Sequence, residues 1–431
     1  MNKYNVLIFP AGSETGIEIY NSLKYNLHFN VFGASGVGDH AKYIYHPDRY
    51  VEGDFLYITD ENFIERFNKL IEEYKIDFIF PTHDSVALFL SENSHLINAR
   101  LVCSEINTTR VARSKKETYR TLRGYDFIPK VYKSQNEVDK YPVFLKPDIG
   151  EGGRFTKVIH ENSGLEGMFS KLNEFVICEY LPGEEFTVDC FTNRKGELLF
   201  AGPRTRERVT MGISFHSEST EINKEINEIA HTLNRQFKFR GAWFFQVKGD
   251  KEDKFKLMEF SVRQASTVGL YRQLGINFSL LSLFDLLEYD VEMLFNKHNI
   301  LLDRCLKNSY KLEYYYNKIY IDFDDTLIVN GKVNTLLMRL IFQCLNNRKK
   351  VILLTKHPGD LSQSLKKYRI SDELFDEIIL IPPDKKKADY IDHFNAVFID
   401  NYFFERKSVK EICGIPVFDV DAVECLLDEM S

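Results

Sequence analysis

Lys146 stands where an apolar run meets a glycine-rich turn, in Pro142–Gly153, PVFLKPDIGEGG. Val143, Phe144 and Leu145 read as a buried strand, so the lysine sits on a strand end. There it can hold a phosphate as a point charge. Gly150, Gly152 and Gly153 can bring backbone N–H groups close to phosphate oxygens, because no Cβ intervenes. A strand with an ordinary hairpin turn would give the same letters, and short glycine motifs are common.

Other residue groups could also do chemistry. Gln246 and Glu259 fall in two segments, Ala242–Lys248 and Phe255–Phe260, that read as antiparallel strands joined by the charged turn Gly249–Lys254. A metal could sit between their oxygens, or both could be strand residues facing water. Arg204, Arg206 and Arg208 form a basic cluster, with Arg263 further on; such forks grip carboxylates or phosphates. Near residue 320 the strand Ile319-Tyr320-Ile321 runs into Asp322-Phe323-Asp324-Asp325-Thr326. Three carboxylates at a strand end repel one another unless a cation sits among them. A capped helix start is the plainer reading of the same residues.

The totals narrow the class. The chain has 431 residues, 44% hydrophobic and 28% charged, with a net charge of −7. This is the composition of a soluble protein of two or three domains. The charge gives no reason to expect nucleic acid or an anionic membrane as partner. No apolar run approaches a membrane span, and MNKYNVLIFPAG reads as a first strand, not a leader. The seven cysteines are scattered without a CxxC pair, which fits reduced thiols in a cytoplasm and not a zinc site.

Alternating elements must position these groups. Tyr4–Phe9, Phe29–Gly33, Asp77–Pro81 and Leu101–Val102 read as strands; Ile17–Leu23, Asn62–Tyr74 and Asp84–Ser91 read as helices. The pattern predicts a doubly wound parallel sheet with ligands at the carboxyl ends of its strands, near Pro10–Ser13 and Pro81–Asp84. Gly12 and Gly16 do not make a dinucleotide fingerprint. Ser114 is a candidate cap for the helix at Lys115. Ile222–Phe237 and Leu280–Leu294 have helical apolar spacing, and Asn308–Asn317 reads as a linker.

In chain order the sequence presents Lys115, Lys146 with its glycine loop, Glu179-Tyr180-Leu181, Glu185, Gln246, Glu259 and Arg263. This order resembles the ATP-grasp superfamily, in particular the carboxylate ligases similar to the carbamoyl-phosphate synthetase large subunit. The resemblance covers residues 1 to about 300. It implies ATP held between two antiparallel sheets. Lys115 and Lys146 would contact phosphates, with Gly152 and Gly153 in a loop closing over them. Backbone at Glu179, Tyr180 and Leu181 would read adenine, Glu185 would hold the ribose, and Gln246 and Glu259 would bind Mg²⁺ or Mn²⁺. Arg263, with Arg206 or Arg208, would grip an anionic substrate. Ser261 stands where the family usually has an asparagine metal ligand, and Arg154 where a small residue is common.

The rear of the chain resembles the haloacid dehalogenase-type phosphatases. Asp322, Thr355, Lys386 or Lys387, and Asp400 fall in that family's order at strand ends. The resemblance implies that Asp322 attacks phosphorus and that Asp324 serves as acid, then base. Thr355 and one lysine would hold phosphoryl oxygens. Asp322, the Asp324 carbonyl and Asp400 would hold Mg²⁺. Asn401 replaces a common second acid, which Glu405 could offset. The Thr326–Thr355 stretch is too short for a large cap.

The expected fold class is α/β and α+β multidomain. A doubly wound pre-ATP-grasp domain spans 1–108, a two-sheet ATP-grasp domain 109–307, and a Rossmann-like haloacid dehalogenase-type domain 316–431. The expected function is ligation of an anionic carboxylate to an amine or ammonia through an acyl-phosphate, fused to a Mg²⁺-dependent phosphomonoesterase, in the cytoplasm, with a homodimer left open. A nucleotide-sensing phosphatase and an ATP-grasp kinase of a hydroxyl are the alternatives.

Overall fold

Val6, Leu7, Ile8 and Phe9 are buried on both faces of strand β1 (Tyr4–Phe9), as the centre of a covered parallel sheet requires. The computed structural model that shows this describes residues 3–51, 56–150, 152–165, 167–210, 212–310 and 312–428. The chain divides into two units, Met1–Ala41 with Pro47–Leu306, and Lys42–His46 with Lys307–Ser431.

In the first unit β1 pairs in parallel with β2 (Phe29–Ala34) and β4 (Phe78–Pro81). The edges are β3 (Tyr50–Val51) and β5 (Arg100–Leu101), giving the order β3-β2-β1-β4-β5. Helices α1 (Glu14–Leu23), α2 (Phe63–Glu73) and α3 (Asp84–Glu92) connect these strands. Phe63, Phe67, Leu70 and Ile71 of α2 recur at helical spacing and pack on Leu7, Phe9 and Ile79. The strand order reverses at β1, so a crevice opens beyond the carboxyl ends of β1 and β4.

Helices α4 (Ile106–Arg113) and α5 (Lys115–Thr121) lead into two antiparallel sheets. The smaller contains β6 (Val143–Pro147), β7 (Lys157–Ile159) and β8 (Phe175–Glu179), ordered β7-β6-β8. The larger contains β9 (Glu185–Thr192), β10 (Leu198–Thr205), β13 (Gly241–Gly249) and β14 (Phe255–Ser261), ordered β10-β9-β13-β14. Between its strands come β11 (Glu207–Thr210), β12 (Ile213–Glu218) and α6 (Lys224–Gln236). Helix α6 lays Ile226, Ile229, Ala230 and Leu233 on Val188, Trp243, Phe245 and Leu257. Helices α7 (Gly269–Gln273) and α8 (Phe278–Leu286) follow, and β15 (Leu301–Asp303) pairs with β12.

Two expectations change here. The apolar spacing expected to run helically to Leu294 stops with α8 at Leu286, and Glu288 sits at φ 67°, a left-handed turn that ends a helix. A boundary at 108 falls inside α4, which packs on both α3 and α5, so the first two expected domains form one unit.

The second unit is a parallel sheet with β16 (Lys318–Ile321) at its centre. Hairpin β17 (Ile328–Val329) and β18 (Lys332–Val333) and helix α9 (Thr335–Asn346) follow, then β19 (Lys350–Thr355). Helix α10 (Leu361–Lys367), β20 (Glu377–Leu380), β21 (Ala396–Ile399), α11 (Phe403–Cys413) and β22 (Val417–Phe418) complete it, in the order β20-β19-β16-β21-β22. Alternation along β16 and β19 sends Ile319, Ile321, Val351 and Leu353 to one core and Tyr320, Ile352 and Leu354 to the other.

Candidate functional sites

In the first unit a cleft of about 610 Å³ lies among the crevice beyond β1 and β4, the end of β6 and the larger antiparallel sheet. Lys115, Gly150, Gly152, Arg204, Arg206, Gln246, Glu259 and Arg263 all line it. Residues from seven elements or loops therefore meet in one place.

The two lysines are brought together by a single carboxylate. Asp148, just past β6, accepts from Ser114 Oγ at 2.8 Å and from the Lys116 N–H at 2.9 Å. Ser114 also caps α5, as the sequence suggests, by accepting from the Glu117 N–H. The end of β6, which carries Lys146, is thereby tied to the start of α5, which carries Lys115. Lys146 is 4% exposed. Its Nζ donates to Tyr119 Oη at 2.6 Å and to the Met258 carbonyl at 3.1 Å. Tyr119 in turn donates to the same carbonyl at 2.7 Å, and burial pushes its phenol well up, so it stays protonated.

Lys115 Nζ lies 3.1 Å from Glu259 Oε2. Burial alone would raise the Glu259 carboxyl, but Lys115, with Lys146 behind it, outweighs burial and holds it below the ordinary glutamate value. Gln246 is the cross-strand partner of Glu259 in the β13–β14 pair. An ionised carboxylate beside an amide oxygen suits Mg²⁺, which commonly takes one or two protein oxygens and completes its shell from phosphates and water. Ser261 is engaged elsewhere: its Oγ donates to Asp84 Oδ1 at 2.5 Å.

The glycine loop arches toward the β11–β12 turn. Gly152 and Gly153 both sit at φ 67°, and a Cβ on Gly212 would fall 2.6 Å from Gly152 Cα. Glu151 and Met211 lie outside the described residues.

The opposite wall is built from arginines. Arg263 donates to Asp84 Oδ2 at 2.8 Å and reaches Thr15 Oγ1 at 3.4 Å, while its buried Nε has no partner among the described residues. Burial would push the Asp84 carboxyl up, but Arg263 and the Ser261 hydroxyl hold it below its usual range. Arg206 spans Glu185 Oε1 at 2.6 Å, Thr187 Oγ1 at 3.2 Å and the Gly212 carbonyl at 2.9 Å. Arg204, 1% exposed, is paired with buried Asp189 at 2.7 Å, and its Nη1 has no partner among the described residues. The sequence grouped three arginines, but the structure separates them. Arg204 and Arg206 reach the cleft wall, whereas Arg208 is exposed on β11, pairs with Asp303 and is not among the lining residues.

Glu179 ends β8 and Tyr180 and Leu181 begin the connection to the larger sheet; all three lie outside the lining of the cleft. Glu179 Oε1 accepts from the Lys130 N–H at 2.8 Å. The connection is then pinned by reciprocal bonds of 2.9 Å, Gly183 N–H to Gly249 O and Gly249 N–H to Glu184 O. Glu185 is held by Arg206 and, at 3.4 Å, by Lys248.

In the second unit Asp322, Thr355 and Asp400 sit at the carboxyl ends of β16, β19 and β21, around the point where the strand order reverses. Lys387 Nζ, 4% exposed, bridges Asp322 Oδ1 and Asp400 Oδ2 at 2.6 Å each. Lys386 is exposed, so of the two candidate lysines only Lys387 joins the cluster. Burial, opposed by Lys387 but reinforced by Asp322, pushes Asp400 up to about 6. One ammonium for two buried carboxylates leaves a net negative charge, which fits a cation. The buried Thr355 Oγ1 has no partner among the described residues. Asn401 is used structurally, exchanging bonds with Thr326 Oγ1 at 3.0 and 3.2 Å. Glu405 is bound to Lys356 at 2.6 Å. Asp324 turns to His357, a residue the sequence reading did not single out; Nδ1 lies 2.9 and 3.0 Å from its two oxygens.

Two antiparallel sheets beside a parallel sheet, with Lys115, a glycine loop and a carboxylate–amide pair lining one cleft, make an ATP-grasp fold. Residues 171–301 match the family model described as ATP-grasp in the biosynthetic pathway with Ter operon. The fold is shared with the biotin carboxylase of Campylobacter jejuni, solved as a β,γ-ATP complex, at a TM-score of 0.56 and 15% identity over 69% of this chain and 74% of that one. It is also shared with N5-carboxyaminoimidazole synthetase of Staphylococcus aureus bound to ADP, at 0.53 and 16% over 69% and 80%. The L-amino acid ligase of Bacillus licheniformis aligns at 0.50 and 18% over 66% and 74%. No curated protein sequence matches the chain. Among the described residues no helix is long and apolar enough to cross a membrane.

Proposed function

We propose that the first unit is an ATP-dependent carboxylate–amine ligase working through an acyl-phosphate. The observation that carries this reading is the convergence of Lys115, Gln246, Glu259 and Arg263 on one cleft beneath the glycine loop. ATP would place its phosphates against Lys115 and Lys146. Glu259 and Gln246 would hold the cation, which neutralises phosphate charge during transfer. Arg263, oriented by Asp84, would grip the carboxylate as its oxygen attacks the terminal phosphorus, and ADP departs. The amine then attacks the acyl carbon and phosphate leaves. The test is ADP release across a panel of carboxylates, with hydroxylamine added to trap the acyl-phosphate. ATP use without hydroxamate, together with a phosphorylated hydroxyl product, would point to a kinase instead.

For the second unit we propose phosphomonoester hydrolysis. Asp322 would attack phosphorus, Lys387 and Thr355 would hold phosphoryl oxygens, and Asp324 would protonate the departing alkoxide. The Asp322–Lys387–Asp400 bridge beside a buried, partnerless threonine hydroxyl supports this reading. A Mg²⁺ held by Asp322, Asp400 and the Asp324 carbonyl would offset charge on the phosphoryl group. Mg²⁺-dependent phosphate release from small esters, lost in Asp322→Asn, is the test.

A further inference from the structure

Asp324 has the most exacting task in the second unit and the least built-in support. Its backbone is fixed by buried Phe323 on one side and by Asp325, at φ 53°, on the other. Its side chain is 47% exposed. Among the described residues its carboxylate has one hydrogen-bonding partner, the imidazole of His357. A water-exposed carboxylate free to rotate would spend part of its time turned away from a leaving group. General acid catalysis requires the acid within hydrogen-bond reach of the oxygen it protonates.

His357 is built to hold still. It follows β19 by two residues, is 12% exposed, and packs edge-on against Phe323 with ring centroids 5.2 Å apart. Its Nε2 lies 2.9 Å from Ser364 Oγ on α10. With Nδ1–H directed at Asp324, Nε2 accepts from the Ser364 hydroxyl, so one tautomer satisfies both contacts. Neighbouring Lys356 is committed to Glu405 at 2.6 Å and does not compete for Asp324.

Resting on the phosphatase reading of this unit, we propose that His357, locked by Ser364, is the positioning residue for Asp324 as general acid and base. In the first half-reaction the P–O bond to the leaving group breaks as Asp322 bonds to phosphorus. Asp324 delivers its proton to the departing oxygen and becomes a carboxylate, which Nδ1–H then supports. In the second half-reaction a water gives its proton to Asp324 as it attacks the aspartyl-phosphate. The P–O bond to Asp322 breaks, and Asp322 returns as a carboxylate. His357 exchanges no proton; it keeps one carboxylate orientation through both halves.

Leaving-group dependence separates this role from mere structural support. An alkyl leaving group needs the proton, whereas p-nitrophenolate departs without it. In the full-length protein with Mg²⁺, His357→Phe keeps a ring against Phe323 but removes both hydrogen bonds. With glycerol 2-phosphate its kcat/KM, which reports the phosphorylation half-reaction alone, should fall by ~30- to 100-fold, near the lower end of a general acid's usual contribution. With p-nitrophenyl phosphate, a kcat/KM retained within about three-fold would also establish that the variant is folded. Ser364→Ala, which keeps the imidazole but unlocks it, should shift the same ratio by a smaller factor. Equal losses on both esters, or an unchanged ratio in His357→Phe, would overturn the positioning role while leaving the phosphatase intact. If wild type hydrolyses neither ester, the phosphatase reading itself falls, and this inference with it.

Discussion

At the scale of single residues, the cleft of the first unit depends on charges that burial would otherwise neutralise. Asp84 links Ser261 and Arg263 across 177 and 179 residues of sequence. Asp84→Asn should destabilise the first unit by about 1–3 kcal/mol at pH 7, since it weakens a charged hydrogen-bond pair. The pH sign follows from the lowered carboxyl. Its contribution is complete above the unfolded aspartate value near 4 and is lost as pH falls through the lower folded value. The wild-type advantage in denaturant melts should therefore be constant above about pH 5 and shrink toward pH 3. An advantage that grew on acidification would contradict the pairing. Asp189→Ala, which strands fully buried Arg204, should cost more, about 3–5 kcal/mol, read as a fall in the melting midpoint. The sequence singled out Lys115, Gln246 and Glu259, which the fold brings to one cleft. It could not show Asp84 with Arg263, because nothing local marks partners so distant. His357 carried a faint local signal, a histidine two positions after a strand-end threonine.

At the scale of elements, closeness along the chain misled in one place, the cluster of Arg204, Arg206 and Arg208. Residues 204, 206 and 208 would share a face on one continuous strand. Strand β10 ends at Thr205, β11 starts at Glu207, and Arg208 sits at φ 45°. The break sends Arg206 to Glu185 and Arg208 to solvent. The glycine loop yields a direct test at this scale. Gly212 has φ 74° and no room for a Cβ against Gly152. Gly212→Val should hold the loop open and raise the KM for ATP by roughly ten-fold, the loss of about 1.4 kcal/mol of closure, with some loss of melting temperature from the strained backbone as well. An unchanged KM would mean that the loop does not close on nucleotide. The parallel sheets, by contrast, were legible from the alternation of apolar strands and amphipathic helices, because two-sided burial leaves a continuous apolar run at each strand.

At the scale of the whole molecule, two units each gather their polar residues where the strand order of a parallel sheet reverses. The expected consequence is separable chemistry. Lys146→Ala should abolish carboxylate-dependent ADP formation and leave phosphate release from a monoester within about two-fold of wild type. Asp322→Asn should do the reverse. Loss of both activities in either variant would refute two independent sites. The split into two units was legible in part, through the polar tyrosine-rich stretch before Lys318. Fusion of the front two expected domains was not, because the packing of α4 on α3 and α5 leaves no mark in composition.

Lys146 is held out of water, bonded to a phenol and a carbonyl. In the proposed ligase, a phosphate that recruited it would trade one set of neutral acceptors for an anion instead of stripping hydration from an exposed ammonium. Most of the dehydration is thus met while the chain folds, so added salt, which screens charges that face solvent, should blunt the grip of exposed cations far more than that of this lysine.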